Sequence, residues 1–264
     1  MIGLVRGLWS YREFVRSSIS NELIARFARS RLGGLWMIIN PLAQAAIYAV
    51  VLSNVVSARL PGAESKYAYA LYLLSGFLAW TLFSEIVTRC LTLFIDNGTL
   101  IKKVSFPRIT LPAVVVGSAL LNNFFLLLGV CVVFTLLGHD LSASMLFVAP
   151  LTVCVVAFAL GIGLILGVMN VFVRDLGQVV PIVLQIGFWL TPVVYPITIV
   201  PEAFQSVIIH NPMYHIVSAY QNALAFQRAP DMTGIAWLLL ASLALMALGL
   251  FMFRRAAPEV ADYL

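Results

Sequence analysis

Long uncharged runs dominate the chain, and its polar residues collect between them. Leu32 to Ala58, Tyr67 to Ser84, Ile109 to His139, Leu141 to Val173, Leu176 to Pro201 and Met232 to Phe253 carry no charged residue. The second run continues past Glu85 to about Cys90. A helix needs about 20 mainly apolar residues to cross the hydrocarbon of a bilayer. The pattern therefore predicts an all-α integral membrane protein with six transmembrane helices, at about 33–57, 67–90, 109–137, 145–172, 177–196 and 233–254. They form a single transmembrane domain over 1–264. The stretch from Ala203 to Gln227 is also uncharged, but it contains Gln205, His210, Asn211, Pro212, His215, Gln221 and Asn222. It is predicted as re-entrant or interfacial outer helices between spans five and six, because irregular backbone survives at membrane depth only under protein or water.

A different pattern precedes the first run. Ser10-Tyr11-Arg12-Glu13 has capping-box spacing, with Trp9 and Phe14 placed as its hydrophobic staple. Tyr11, Val15, Ile19, Leu23 and Phe27 then recur at helical spacing, while Arg12, Arg16 and Ser20 take another face. This predicts an N-terminal amphipathic interface helix at about 10–31, lying along the membrane lipids.

Composition narrows the class. The chain is 62% apolar and 10% charged, against about 25% charged residues in soluble domains. That excludes a water-soluble globule and a disordered chain. The net charge of +5 comes from residues flanking the apolar runs, so it signals membrane topology and no nucleic acid partner. With six spans and both ends on one side, Arg6, Arg12, Arg16, Arg26, Arg29, Arg31, Arg89, Lys102, Lys103, Arg108, Arg174, Arg254 and Arg255 share that side. Only Arg59, Lys66 and Arg228 lie opposite. The positive-inside rule then makes both termini cytoplasmic.

Several chemistries are missing from the sequence. Cys90, Cys131 and Cys154 have no metal-ligand spacing, and no G-x-x-x-x-G-K-[ST] loop, HExxH or GxSxG occurs. The expectation is no catalytic residue, no metal and no cofactor in this chain. Gly161-Ile162-Gly163 and Gly167 read as small-residue helix packing. Glu85 is the only acid inside an expected span, which argues against coupling to an ion gradient. Energy for any transport should come from a partner.

Several segments together resemble the ABC-2 type permease family. They are Arg26-Phe27-Ala28-Arg29-Ser30-Arg31-Leu32-Gly33-Gly34-Leu35-Trp36 with Asn40-Pro41, Lys102-Lys103-Val104-Ser105-Phe106-Pro107-Arg108 with Leu111-Pro112, Val173-Arg174-Asp175-Leu176, and Phe188-Trp189-Leu190-Thr191-Pro192-Val193-Val194-Tyr195 with Asn211-Pro212. The subgroup they resemble exports O-antigen, capsule and teichoic-acid polysaccharides. The resemblance implies a channel-forming subunit in the bacterial inner membrane, working with a second copy of itself. Two copies of a separate ABC ATPase would bind ATP, and the substrate would be a lipid-linked polysaccharide. It also places Arg12, Arg16, Lys102, Lys103, Phe106, Pro107 and Arg108 against the ATPase, and it makes the outer segment with Pro196, Pro201, His210 and His215 a gate. From the residues alone, that segment is an interfacial lid and the basic loop is a membrane anchor. Alternatives are an ABC-2 exporter of a drug or other lipid, and a membrane assembly protein that transports nothing.

Helical spacing suggests a sugar path. Tyr69, Tyr72, Trp80 and Phe83 fall on one arc of span two with Gly76; Asn40, Gln44 and Tyr48 recur at i, i+4, i+8; Gln185 and Trp189 share a face of span five. Aromatic faces and uncharged amides suit a neutral, hydrated polymer that must slide. The same residues also fit an interfacial aromatic belt and amide-paired helices.

Overall fold

The computed structural model describes residues 9–27, 32–36, 38–40, 42–44, 46–47, 67–103, 106–140 and 142–263, with backbone alone at 26–27, 103 and 257–263. Most of the expected first span lies outside these residues, Tyr48 included, as does the side chain of Lys103. Among the described residues the chain is helical, with no strand. In order the helices are α1 (Arg12–Phe27), α2 (Ala68–Asp96), α3 (Gly98–Lys103), α4 (Thr110–Leu136), α5 (Val148–Phe172), α6 (Leu176–Leu190), α7 (Glu202–Ile209), α8 (Pro212–Leu224) and α9 (Met232–Tyr263). Short 3-10 turns cover Gly33–Leu35, Ala143–Phe147 and Ile197–Ile199.

Among the described residues, four helices are long and apolar enough to cross a membrane: Ala68–Asp96, Thr110–Leu136, Ala143–Phe172 and Met232–Ala256; Leu176–Leu190 is apolar but shorter. α2 is the hub. Its most apolar stretch is 78% buried, against 17% for the last helix, because α4, α5, α6 and α8 all pack on it. Glycine lets the backbones close. A Cβ on Gly163 would lie 2.7 Å from the Cys90 Cβ, and one on Gly167 would overlap the Cys90 carbonyl oxygen. On the other side of α5, a Cβ on Gly161 would lie 2.8 Å from the backbone of α9. The small residues of α5 thus pack helices on two sides, as their spacing suggested.

Element ends follow local chemistry. α4 stops at Gly138, whose φ of 74° lets the His139 N–H reach back to the Phe134 carbonyl at 2.9 Å, a left-handed glycine cap. α8 starts on Asn211, which accepts from the Met213 N–H at 3.0 Å, with Pro212 just inside.

Two expectations shift. The fifth span was expected to reach 196, but α6 ends at Leu190 because Pro192 forces Thr191 into an extended conformation (φ −98°, ψ 127°). The Trp9–Phe14 staple is not made. Phe14 faces Phe106, with ring centroids 5.8 Å apart, and the exposed Trp9 instead carries the Arg12 guanidinium 5.3 Å above its ring.

Candidate functional site: an uncharged groove with polar braces at both ends

α2 and α6, together with Asn40, Ala43, Gln44 and Ile47, border a groove of about 840 Å³. Asn40, Gln44, Trp80, Gln185 and Trp189 line it, with Thr81, Ser84 and Thr88 on the α2 side and Pro181 and Phe188 on the α6 side. Its described lining contains no charged side chain. The Phe188 ring holds the Trp80 ring edge-on, with centroids 5.7 Å apart, so the indole face is set by packing. The groove can therefore offer amide donors and acceptors, hydroxyls and flat aromatic surface, without an ion.

Five of the nine residues assigned to the sugar path meet in this groove. Tyr48 lies outside the described residues. Phe83 sits off the groove between Trp80 and Phe158. Tyr69 and Tyr72 are elsewhere, buried at the opposite end of the α2 stripe from Phe83.

There the two tyrosines perform a different task. The unwound chain after α6 leaves carbonyls that no helix satisfies, and buried carbonyls need a donor. The Tyr69 hydroxyl donates to the Val194 carbonyl at 2.9 Å. The Tyr72 hydroxyl is shared between the carbonyls of Pro192 and Tyr195, each at 3.0 Å. Gln221 of α8 also donates to the Pro192 carbonyl, at 3.1 Å. Asn211 donates to the Thr191 hydroxyl at 2.9 Å, and the Tyr195 hydroxyl donates to the Trp189 carbonyl. The segment is thus hydrogen-bonded to α2 and α8 together. Of the gate residues, Pro196 is buried at the start of a 3-10 turn and Pro201 begins α7. His210 and His215 are exposed; their ring N–H groups donate to the carbonyls of Ser206 at 2.6 Å and Ile209 at 2.8 Å.

At the other end, sequence reading missed a polar node. Arg89 of α2 donates to Glu22 of α1 at 2.7 Å and lies 3.7 Å from Glu85 one turn before it. Ser118 of α4 donates to the same Glu22 oxygen at 2.8 Å, and Asn122 donates to Glu85 at 2.6 Å. The side chains of Arg89, Glu22 and Glu85 are only 21–26% exposed. Beside the node, Ile19 of α1 packs into the space left by Gly117. α1 is therefore bound to α2 and α4 by charge and shape. The available signal was weak: an acid and a base one turn apart in an apolar helix, with no mark pointing to Glu22.

The expected ATPase-facing residues cluster around α1 and the loop after α3. Arg12 and Arg16 are exposed on α1, Lys102 is exposed on α3, and Phe106, Pro107 and Arg108 are half-buried in the loop. Through Phe14 and Phe106 the helix and loop touch. The Pro107 carbonyl accepts from the Thr110 N–H and hydroxyl, both at 2.9 Å, which closes the loop onto α4.

A family model described as ABC-2 type transporter matches residues 14–225. The chain is 31% identical over 265 residues to the O-antigen export system permease protein RfbA of Myxococcus xanthus, covering 99% of both proteins. It is 30% identical over 249 residues to an RfbA permease of Klebsiella pneumoniae, covering 93% of this chain and 92% of that one. The polysialic acid transport protein KpsM of Escherichia coli is 22% identical over 245 residues, covering 91% and 92%.

Proposed function

Since the chain belongs to the ABC-2 type transporter family, we propose that it is the channel-forming permease subunit of an ATP-driven exporter. Its substrate is a lipid-linked polysaccharide, O-antigen foremost, moved from the cytoplasm across the bacterial inner membrane. The relatives whose names state O-antigen export align over nearly the whole chain, and the KpsM relative names a second polysaccharide. The observation that carries the reading is the uncharged groove with its amides and tryptophans.

In this reading the chain has six spans, with the region around 33–57 supplying the first, and both termini are cytoplasmic. Two copies face each other across the groove, and α7 and α8 dip back into the outer half of the membrane as the gate. Sugar hydroxyls exchange hydrogen bonds among Asn40, Gln44 and Gln185, and sugar faces pass over Trp80 and Trp189. No single contact is strong, so the polymer is not trapped. ATP is hydrolysed by two copies of a separate subunit docked beneath α1 and the loop Lys102–Arg108. The Arg89 node and the Phe14–Phe106 contact carry its motion into α2 and α4.

The test is deletion of the gene and restoration with the wild-type chain. Deletion should strip the polysaccharide from the cell surface while the glycan accumulates in the cytoplasm, and restoration should reverse both. Normal surface polysaccharide after deletion would refute the reading and favour export of another lipid or a drug.

A further inference from the structure

A second cavity, of about 710 Å³, lies where the end of α2, α3, the end of α5 and the start of α6 converge. Lys102, Arg174, Thr92, Thr99, Gln178 and Asn170 contribute polar groups to it, and among the described residues no carboxylate lines it. Among the described residues, neither Lys102 nor Arg174 forms an ion pair. Asn170 is 1% exposed. Its amide nitrogen donates to the Leu91 carbonyl at 3.0 Å, which fixes the amide orientation, because a carbonyl can only accept. The Asn170 Oδ1 is then turned towards Gly177, at 3.4 Å from where a Cβ would stand, and this buried oxygen has no hydrogen-bond partner.

A buried acceptor without a donor costs free energy unless water or a ligand satisfies it. The cavity thus presents two cations, two threonine hydroxyls, the Gln178 amide and one unpartnered buried acceptor, the Asn170 oxygen. An anion without an O–H, such as sulfate, would match the cations and leave the Asn170 oxygen unsatisfied. A phosphate ester with a neighbouring hydroxyl matches all of them: its oxygens take Arg174 and Lys102, and its hydroxyl donates to Asn170. On the topology proposed above, on which this inference rests, the cavity sits at the cytoplasmic ends of the spans, where lipid phosphates lie. We propose that it binds the hydroxyl-bearing phosphate headgroup of a lipid. Two lipids have that chemistry: the carrier to which the exported glycan is attached, and a membrane phospholipid such as phosphatidylglycerol.

The test uses the full chain in nanodiscs of phosphatidylcholine doped with either an isoprenyl phosphate–glucose or phosphatidylglycerol. Lipid that stays bound after delipidating washes is counted by mass spectrometry. Arg174→Gln, alone and with Lys102→Gln, should lower retention of one probe by about ten-fold or more, the loss expected for charge-assisted hydrogen bonds. Gln178→Glu, an exposed change that puts a negative charge on the lining, should do the same. Arg228→Gln, outside the cavity, should change nothing. Loss of the glucose lipid alone assigns the site to the carrier, and loss of phosphatidylglycerol alone assigns it to membrane lipid. Unchanged retention of both probes in all three cavity variants overturns the proposal. Retention and surface export are read separately, so the site can fail while the export function stands, and the reverse.

Discussion

Replacing Arg89 with glutamine removes the guanidinium from two carboxylates and leaves a shorter, uncharged hydrogen-bonding side chain. The cost follows from burial. Exposed ion pairs contribute about 0–1 kcal/mol, whereas removing one partner of a fully buried pair costs about 3–5 kcal/mol. With side chains 21–26% exposed, the Arg89 node lies between these limits, and Arg89→Gln should cost about 2 kcal/mol. Glu22→Gln keeps an oxygen for Ser118 and should cost about 1 kcal/mol. If the two side chains act mainly on each other, the double variant should cost about 1–1.5 kcal/mol less than the sum of the singles. The assay is equilibrium unfolding in mixed micelles, followed by tryptophan fluorescence, for all four proteins. Additivity within about 0.3–0.5 kcal/mol would refute the argument, since the contact would then contribute nothing measurable. In the complex with its ATPase, Arg89→Gln should leave assembly intact and lower export per ATP hydrolysed.

Gly167→Ala should destabilise by about 1–3 kcal/mol, visible as a lower thermal midpoint, because its Cβ would meet rigid backbone at Cys90; a wild-type midpoint would show that the helices can part freely. Gly187→Ala meets only the edge of Trp80 at 3.2 Å and should lower the midpoint less. Tyr72→Phe should cost about 1–2 kcal/mol in the same unfolding assay, because the Tyr195 carbonyl loses its donor while the Pro192 carbonyl keeps Gln221. A flexible insertion after Gly33, where φ is +51°, should preserve the complex but lower export per ATP hydrolysed; normal export would place force transmission in the Lys102–Arg108 loop and the Arg89 node, without the hinge.

Much of this was legible in the sequence, for identifiable reasons. Hydrocarbon demands long apolar runs, so the helices Thr110–Leu136 and Met232–Tyr263 begin within one residue of where the pattern placed them. Helical periodicity correctly brought Gln185 and Trp189 to one face, and a neighbouring groove gathered Asn40, Gln44 and Trp80 there too. Periodicity states which residues share a face and not what covers that face. For this reason Tyr69 and Tyr72 grouped with Trp80, although their end of α2 is roofed by the unwound chain after Pro192. The Arg89–Glu22 pair joins residues 67 positions apart. A local pattern holds no information about such a contact, and Arg89 carried meaning only as a charge that orients the chain.

The claim that polysaccharide passes through the groove is tested most directly by light-activated crosslinking from within it. Benzoylphenylalanine is placed at Gln185, on the groove face of α6, or at Val183, exposed on α6 outside the groove lining. Cells exporting polymer are irradiated, and the purified chain is probed for attached glycan. The account predicts glycan on the Gln185 variant and none on the Val183 variant, with the Gln185 signal lost when the ATPase is inactivated. Glycan attached equally at both positions, or absent from Gln185 while export proceeds, would contradict it.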